Sequence, residues 1–156
     1  MVSRILCAID DTEYSEMAAE FAIQLASQLP AKLIFYVVNP SVLPSPRGAP
    51  VYLWTDKYVR DLLDEAFRRA SQAGVDRVVC ETARATSVAR SIVTFAESQD
   101  VDFIVIGASR HGGIVSLFRR PISRRVAETA TCPVLIIGHV HNRYLNRGVA
   151  SYSEAA

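Results

Sequence analysis

Short, unbroken apolar runs alternate along this chain with longer stretches whose apolar residues recur at three-and-four spacing, and that alternation predicts an α/β fold. Ile5 to Ile9 is the first run, closed by Asp10-Asp11-Thr12. A run apolar at every position suits a parallel strand buried on both faces. Behind it Met17, Ala18, Phe21, Ala22, Leu25, Ala26 and Leu29 share one helical face, with Glu13 and Glu16 where acids complement the helix dipole. A helix is expected over about 13–29.

The next run, Leu33 to Val38, has the β-branched and aromatic content of a strand and stops at Asn39-Pro40. Pro40, Pro44, Pro46, Pro50 and Gly48 then predict an irregular segment over 40–53, a candidate lid. Val59, Leu62, Leu63, Ala66, Phe67 and Ala70 mark a second helix, stopped by Gly74. Arg77 to Glu81 reads as a third strand, followed by a helix opening at Thr86 or Ser87 and presenting Val88, Ala89, Ile92 and Ala96. The most apolar strand, 101–106, ends at Gly107, after which Ala108 to Gly113 reads as an exposed loop. Pro121 fits a first helical turn, Ile122, Val126 and Ala130 form its stripe, and Pro133 stops it before a fifth strand, Val134 to Gly138. The sum is a single Rossmann-like α/β domain over 1–141, with a five-stranded parallel sheet, helices on both faces and a frayed tail over 142–156.

Composition narrows the function. Half of the 156 residues are hydrophobic and 21% are charged, which excludes a disordered chain. A formal net charge of +1 excludes a general nucleic-acid binder. Lys32 and Lys57 are the only lysines, so chemistry needing that side chain has few candidates. Cys7, Cys80 and Cys132 are odd in number and lie in or beside apolar runs, which predicts reduced thiols in a cytoplasmic protein. No run approaches the ~18 apolar residues of a spanning helix, so no membrane insertion is expected.

Ligands of open α/β sheets bind outside the carboxyl ends of the strands, where strand order reverses. If the chain runs outward through strands one to three and returns to lay strand four beside strand one, Asp10 meets the loop after Gly107. A phosphoacceptor receiver domain would need an Asp ending strand three and a Lys ending strand five; Glu81-Thr82 and Gly138-His139 stand there instead. His139 and His141 alternate on the last strand, but two imidazoles fall short of a metal set.

Over about residues 3–138 the sequence resembles the universal stress protein family. The matching pieces are the strand and turn from Ile5 to Thr12, the strand from Leu33 to Asn39, Asp102 to Ser109, and above all Val126-Ala127-Glu128-Thr129-Ala130-Thr131-Cys132-Pro133-Val134-Leu135-Ile136-Ile137. The resemblance implies strand order 3-2-1-4-5, frequent dimers, and a split into ATP-binding and non-binding members. Binders carry a loop of the form G-x2-G-x9-G-[ST], whose backbone N–H groups cradle phosphates. On this chain its positions fall on Gly107, Arg110, Arg120 and Pro121. The two arginines bring a Cβ to positions the loop reserves for glycine, and Pro121 has neither an N–H nor a hydroxyl to offer.

Asp10 matches the family's ribose-contacting acid and Val37 lies near its adenine-contacting strand end; the first could equally cap a helix and the second simply fill a strand. Arg110, His111, Arg119, Arg120, Arg124 and Arg125 could hold an anion by forked hydrogen bonds or form a solvated basic face. Three readings follow. The first is a non-enzymatic stress-response or regulatory module with weak or absent ATP binding. The second is an ATP or AMP binder with a rearranged site of Asp10, Gly107, Arg110, Gly112, Gly113, Arg120 and Ser123, with slow ATPase activity. The third is an accessory subunit of a transporter or kinase acting through the 40–53 loop and an exposed Trp54. Val134 to Ile137, an apolar edge strand without protecting charges, predicts a homodimer.

Overall fold

A computed structural model describes residues 1–43, 48–108 and 121–138. The expected tail over 142–156, His139, His141, Arg110, Gly112, Gly113, Arg119 and Arg120 lie outside these. In chain order the elements are β1 (Arg4–Ala8), α1 (Glu13–Gln28), β2 (Lys32–Leu43), β3 (Val51–Tyr52), α2 (Asp56–Gln72), β4 (Val78–Ala85), α3 (Val88–Ser98), β5 (Phe103–Gly107), α4 (Ile122–Thr129) and β6 (Val134–Ile137).

β1 pairs in parallel with β2 on one side and β5 on the other, β4 pairs in parallel with β2, and β6 with β5. The strand order therefore reverses between β1 and β5. The expectation of five strands is corrected to six. β2 runs on through Pro40 to Leu43, and β3 folds back antiparallel on it, Ser41 opposite Tyr52 and Leu43 opposite Val51. A prolyl φ near −65° is compatible with extended chain, and Pro40 loses only a donor; its carbonyl still accepts the Leu53 N–H at 3.0 Å. The described part of 40–53 is thus an ordered strap and not an irregular loop.

Period-two alternation divides the core. Ile5, Cys7, Leu33, Phe35, Val37 and Val105 face α1 and α2, whereas Leu6, Ala8, Ile34, Tyr36, Val38, Ile104 and Ile106 face α3 and α4. Because both faces are covered, the strands read as unbroken apolar runs. The helices begin at hydroxyl caps: Thr12 accepts from Ser15 N–H at 3.2 Å, Thr55 from Tyr58 N–H at 3.2 Å and Ser87 from Arg90 N–H at 3.4 Å. α4 starts on Pro121 with no side-chain cap. At the far end of the sheet Asp102 Oδ2 accepts from Ser3 N–H at 2.7 Å and Arg4 N–H at 2.8 Å. These two donors hold its carboxyl below the usual range. Among the described residues no helix is long and apolar enough to cross a membrane.

Candidate functional site

The reversal of strand order leaves a crevice at the carboxyl ends of β1 and β5, a cleft of about 260 Å³. Asp10, Asp11 and Thr12 come from the β1–α1 turn, Tyr14 and Ser15 from the first turn of α1, and Gly107 and Ala108 from the end of β5. Tyr36, Val38 and Pro40 of β2, Val88 and Ile92 of α3, and Ile122 of α4 supply a mostly apolar wall; Leu53 and Trp54 close it from the strap.

The turn is tightly wired. Asp10 Oδ1 accepts from Thr12 N–H at 2.9 Å and from Thr12 Oγ1 at 2.6 Å, while the Asp10 N–H donates to Ser15 Oγ at 2.8 Å. The α1 cap is Thr12, and Asp10 shapes the turn ahead of it. Among the described residues Asp10 Oδ2 has no hydrogen-bond partner, so one carboxylate oxygen stays open at the cleft. Tyr36 is fixed at both ends, its ring stacked on Phe95 with centroids 4.1 Å apart and its hydroxyl 2.9 Å from Ser91 Oγ.

Gly107 has a reason of its own. A Cβ there would sit 2.5 Å from the Tyr14 carbonyl carbon and oxygen and 2.8 Å from the Ser15 nitrogen. Glycine is what lets β5 end against α1, whatever the crevice holds.

The fold brings Asp10 and Gly107 to one cleft. The Val37 side chain is fully buried in the α1–α2 half of the core, and its neighbours Tyr36 and Val38 line the cleft. Successive residues of a strand point to opposite faces, so the side chains of Val37 and its two neighbours part to opposite sides of the sheet. Ser123 is buried at 4% exposure on α4. Arg110, Gly112, Gly113 and Arg120 lie outside the described residues. Arg124 Nε donates to Glu128 at 3.0 Å and Arg125 to Ser87 Oγ at 3.2 Å. Trp54, expected exposed, is half-buried against the core.

Sequence reasoning missed Tyr14, Ser15, Tyr36 and Val38, and singled out Trp54 only as an exposed partner-binding residue. The alternation along β2 was the available signal for Tyr36 and Val38, and the Thr12-to-Ser15 capping spacing for Ser15. Nothing local placed Trp54 at the cleft.

The three thiols are free. Burial drives Cys7 far above the ordinary thiol value and raises Cys132; burial, with Asp64 and Glu81 adding, pushes Cys80 up to about 11. All stay protonated near neutral pH and make poor nucleophiles. Among the described residues no His, Cys, Asp or Glu cluster could hold a metal ion.

A doubly wound α/β domain with a ligand-sized crevice where strand order reverses is the class that this architecture defines. The model of the universal stress protein family matches residues 1–138, and the chain belongs to that family. It is 26% identical over 150 residues to the universal stress protein YxiE of Bacillus subtilis, covering 88% of this chain and 99% of that one. Its fold is similar to that of a universal stress protein solved in complex with cAMP (TM-score 0.68, 22% identity, 88% of this chain and 97% of the other). It is similar as well to the universal stress protein from Archaeoglobus fulgidus in complex with dAMP (TM-score 0.61, 20% identity, 88% and 98%).

Proposed function

We propose that this protein is a non-enzymatic regulatory module that takes an adenine nucleotide with a single phosphate into the β1–β5 crevice and grips ATP weakly or not at all. The observation that carries this reading is the pairing of an open Asp10 carboxylate oxygen with the apolar wall of Tyr36, Val38 and Ile92. A carboxylate accepts from ribose hydroxyls, and an apolar slot accepts a base. The cleft of about 260 Å³ falls just under the roughly 300–1,000 Å³ of pockets that bury drug-sized ligands. A nucleoside monophosphate suits it better than a triphosphate with its metal.

The phosphate side supports the same choice. Pro121 stands where a binder of the family has a hydroxyl residue, and it lends no N–H to an anion at the start of α4. The complexes of related folds with cAMP and dAMP, each carrying one phosphate, agree with this preference. The non-enzymatic part rests on the described lining, whose polar side chains are hydroxyls and carboxylates and which includes no cysteine among the described residues.

Calorimetric titration of the protein with AMP and with ATP plus magnesium tests the reading. AMP should saturate, and ATP should bind at least about tenfold more weakly. ATP binding as tight as AMP, abolished by Arg110→Ala or Arg120→Ala, would replace it with the arginine-held triphosphate site. The reading also includes a homodimer through β6, whose Ile136 is 45% exposed.

A further inference from the structure

Asn39 is 2% exposed, and both ends of its amide are spent on the backbone of one distant residue. Its Nδ2 donates to the Trp54 carbonyl at 2.8 Å and its Oδ1 accepts the Trp54 N–H at 3.0 Å. The Leu53 N–H donates to Pro40 carbonyl at 3.0 Å beside this clasp. A side chain here does what a neighbouring strand would do, fixing the strap between β3 and α2 at a set height over the crevice. An apolar residue at 39 would leave the Trp54 backbone groups without these partners.

The residue so held is one of the cleft's walls. The Trp54 ring leans on Tyr58, centroids 6.1 Å apart and tilted by 34°, and the Tyr58 hydroxyl reaches Asp11 Oδ2 at 3.5 Å. The wall thus spans from the strap back to the turn that carries the open carboxylate. Indole is the side chain best suited to cover a flat heteroaromatic ring, since every base has a π-face.

We infer that Trp54 is the surface against which the base of the bound nucleotide stacks and that Asn39 is the positioning residue that sets it there. This rests on the nucleotide reading above. It assigns base recognition to stacking on the strap.

Trp54 is the only tryptophan of the chain, so its emission reports on this contact directly. AMP is titrated into the whole protein and followed both by heat and by tryptophan fluorescence. The emission should change saturably with the calorimetric Kd. Trp54→Leu keeps the backbone bonds to Asn39 and removes the indole; it should weaken AMP about tenfold. Asn39→Ala should weaken AMP and shorten the anisotropy decay of Trp54 in the free protein, with thermal melting checking that it is folded. If Asn39→Ala does not fold, Trp54→Leu and the wild-type emission still decide. Normal heat from AMP with unchanged emission, and variants binding within about twofold of wild type, would overturn the inference and leave the nucleotide reading standing. No heat from AMP in the wild type would end both.

Discussion

Gly107 separates packing from function at the scale of one residue. As the first glycine of a phosphate-loop pattern it invites a ligand explanation, yet a Cβ there would clash with the backbone of Tyr14 and Ser15, which cannot swing aside as a side chain could. Gly107→Ala should therefore destabilise by about 1–3 kcal/mol, the usual range for overpacking. For a domain of this size that lowers Tm by roughly 2–4 °C per kcal/mol, measurable by calorimetry without any nucleotide present. An unchanged Tm would show that β5 and α1 can part at no cost. Val37 teaches a related lesson: β-propensity places it in a strand, but which face it takes depends on register with β1 and β4.

Among the elements, the β1–α1 turn is built from three side chains, Asp10, Thr12 and Ser15, within six residues, and its parts were readable from the sequence as an acid pair, a hydroxyl and the start of an apolar stripe. The division of labour was not. Thr12 caps α1 while Asp10 braces Thr12 through both its N–H and its hydroxyl. Thr12→Ala should cost about 1 kcal/mol from the lost cap and should also weaken AMP, because the Asp10 carboxylate loses its hydroxyl partner. Melting and calorimetric titration of the one variant read both effects; a loss of stability with AMP affinity untouched would mean that Asp10 is held by its remaining bond to the Thr12 N–H. The strap is the element that pattern reading misjudged. Prolines in 40–53 suggested irregular chain, but β2 continues past Pro40, and the strap is clasped by Asn39, whose partner lies 15 residues away. Contacts at such separations leave no local signature.

On the scale of the whole molecule, β6 is the outermost strand on the β5 side among the described residues, four residues long with Ile136 exposed. An open apolar edge is a template for another strand. Light scattering on the eluting protein should give twice the chain mass for the wild type and a single chain mass for Ile136→Lys, whose charge opposes pairing at that edge; a wild-type monomer would refute the β6 dimer. What the sequence determined by itself was the alternation of elements, most helix starts, the paired-face burial of the strands and the family, because each is written in local periodicity, capping residues or contiguous motifs. Only the tertiary structure decided that a sixth strand, β3, folds back on β2, that the side chains of Tyr36 and Val38 rather than Val37 line the cleft, and that Trp54 is held at its edge. Those depend on register, on backbone approach at Gly107 and on hydrogen bonds between residues far apart in the chain, and such terms exist only once the sheet has formed.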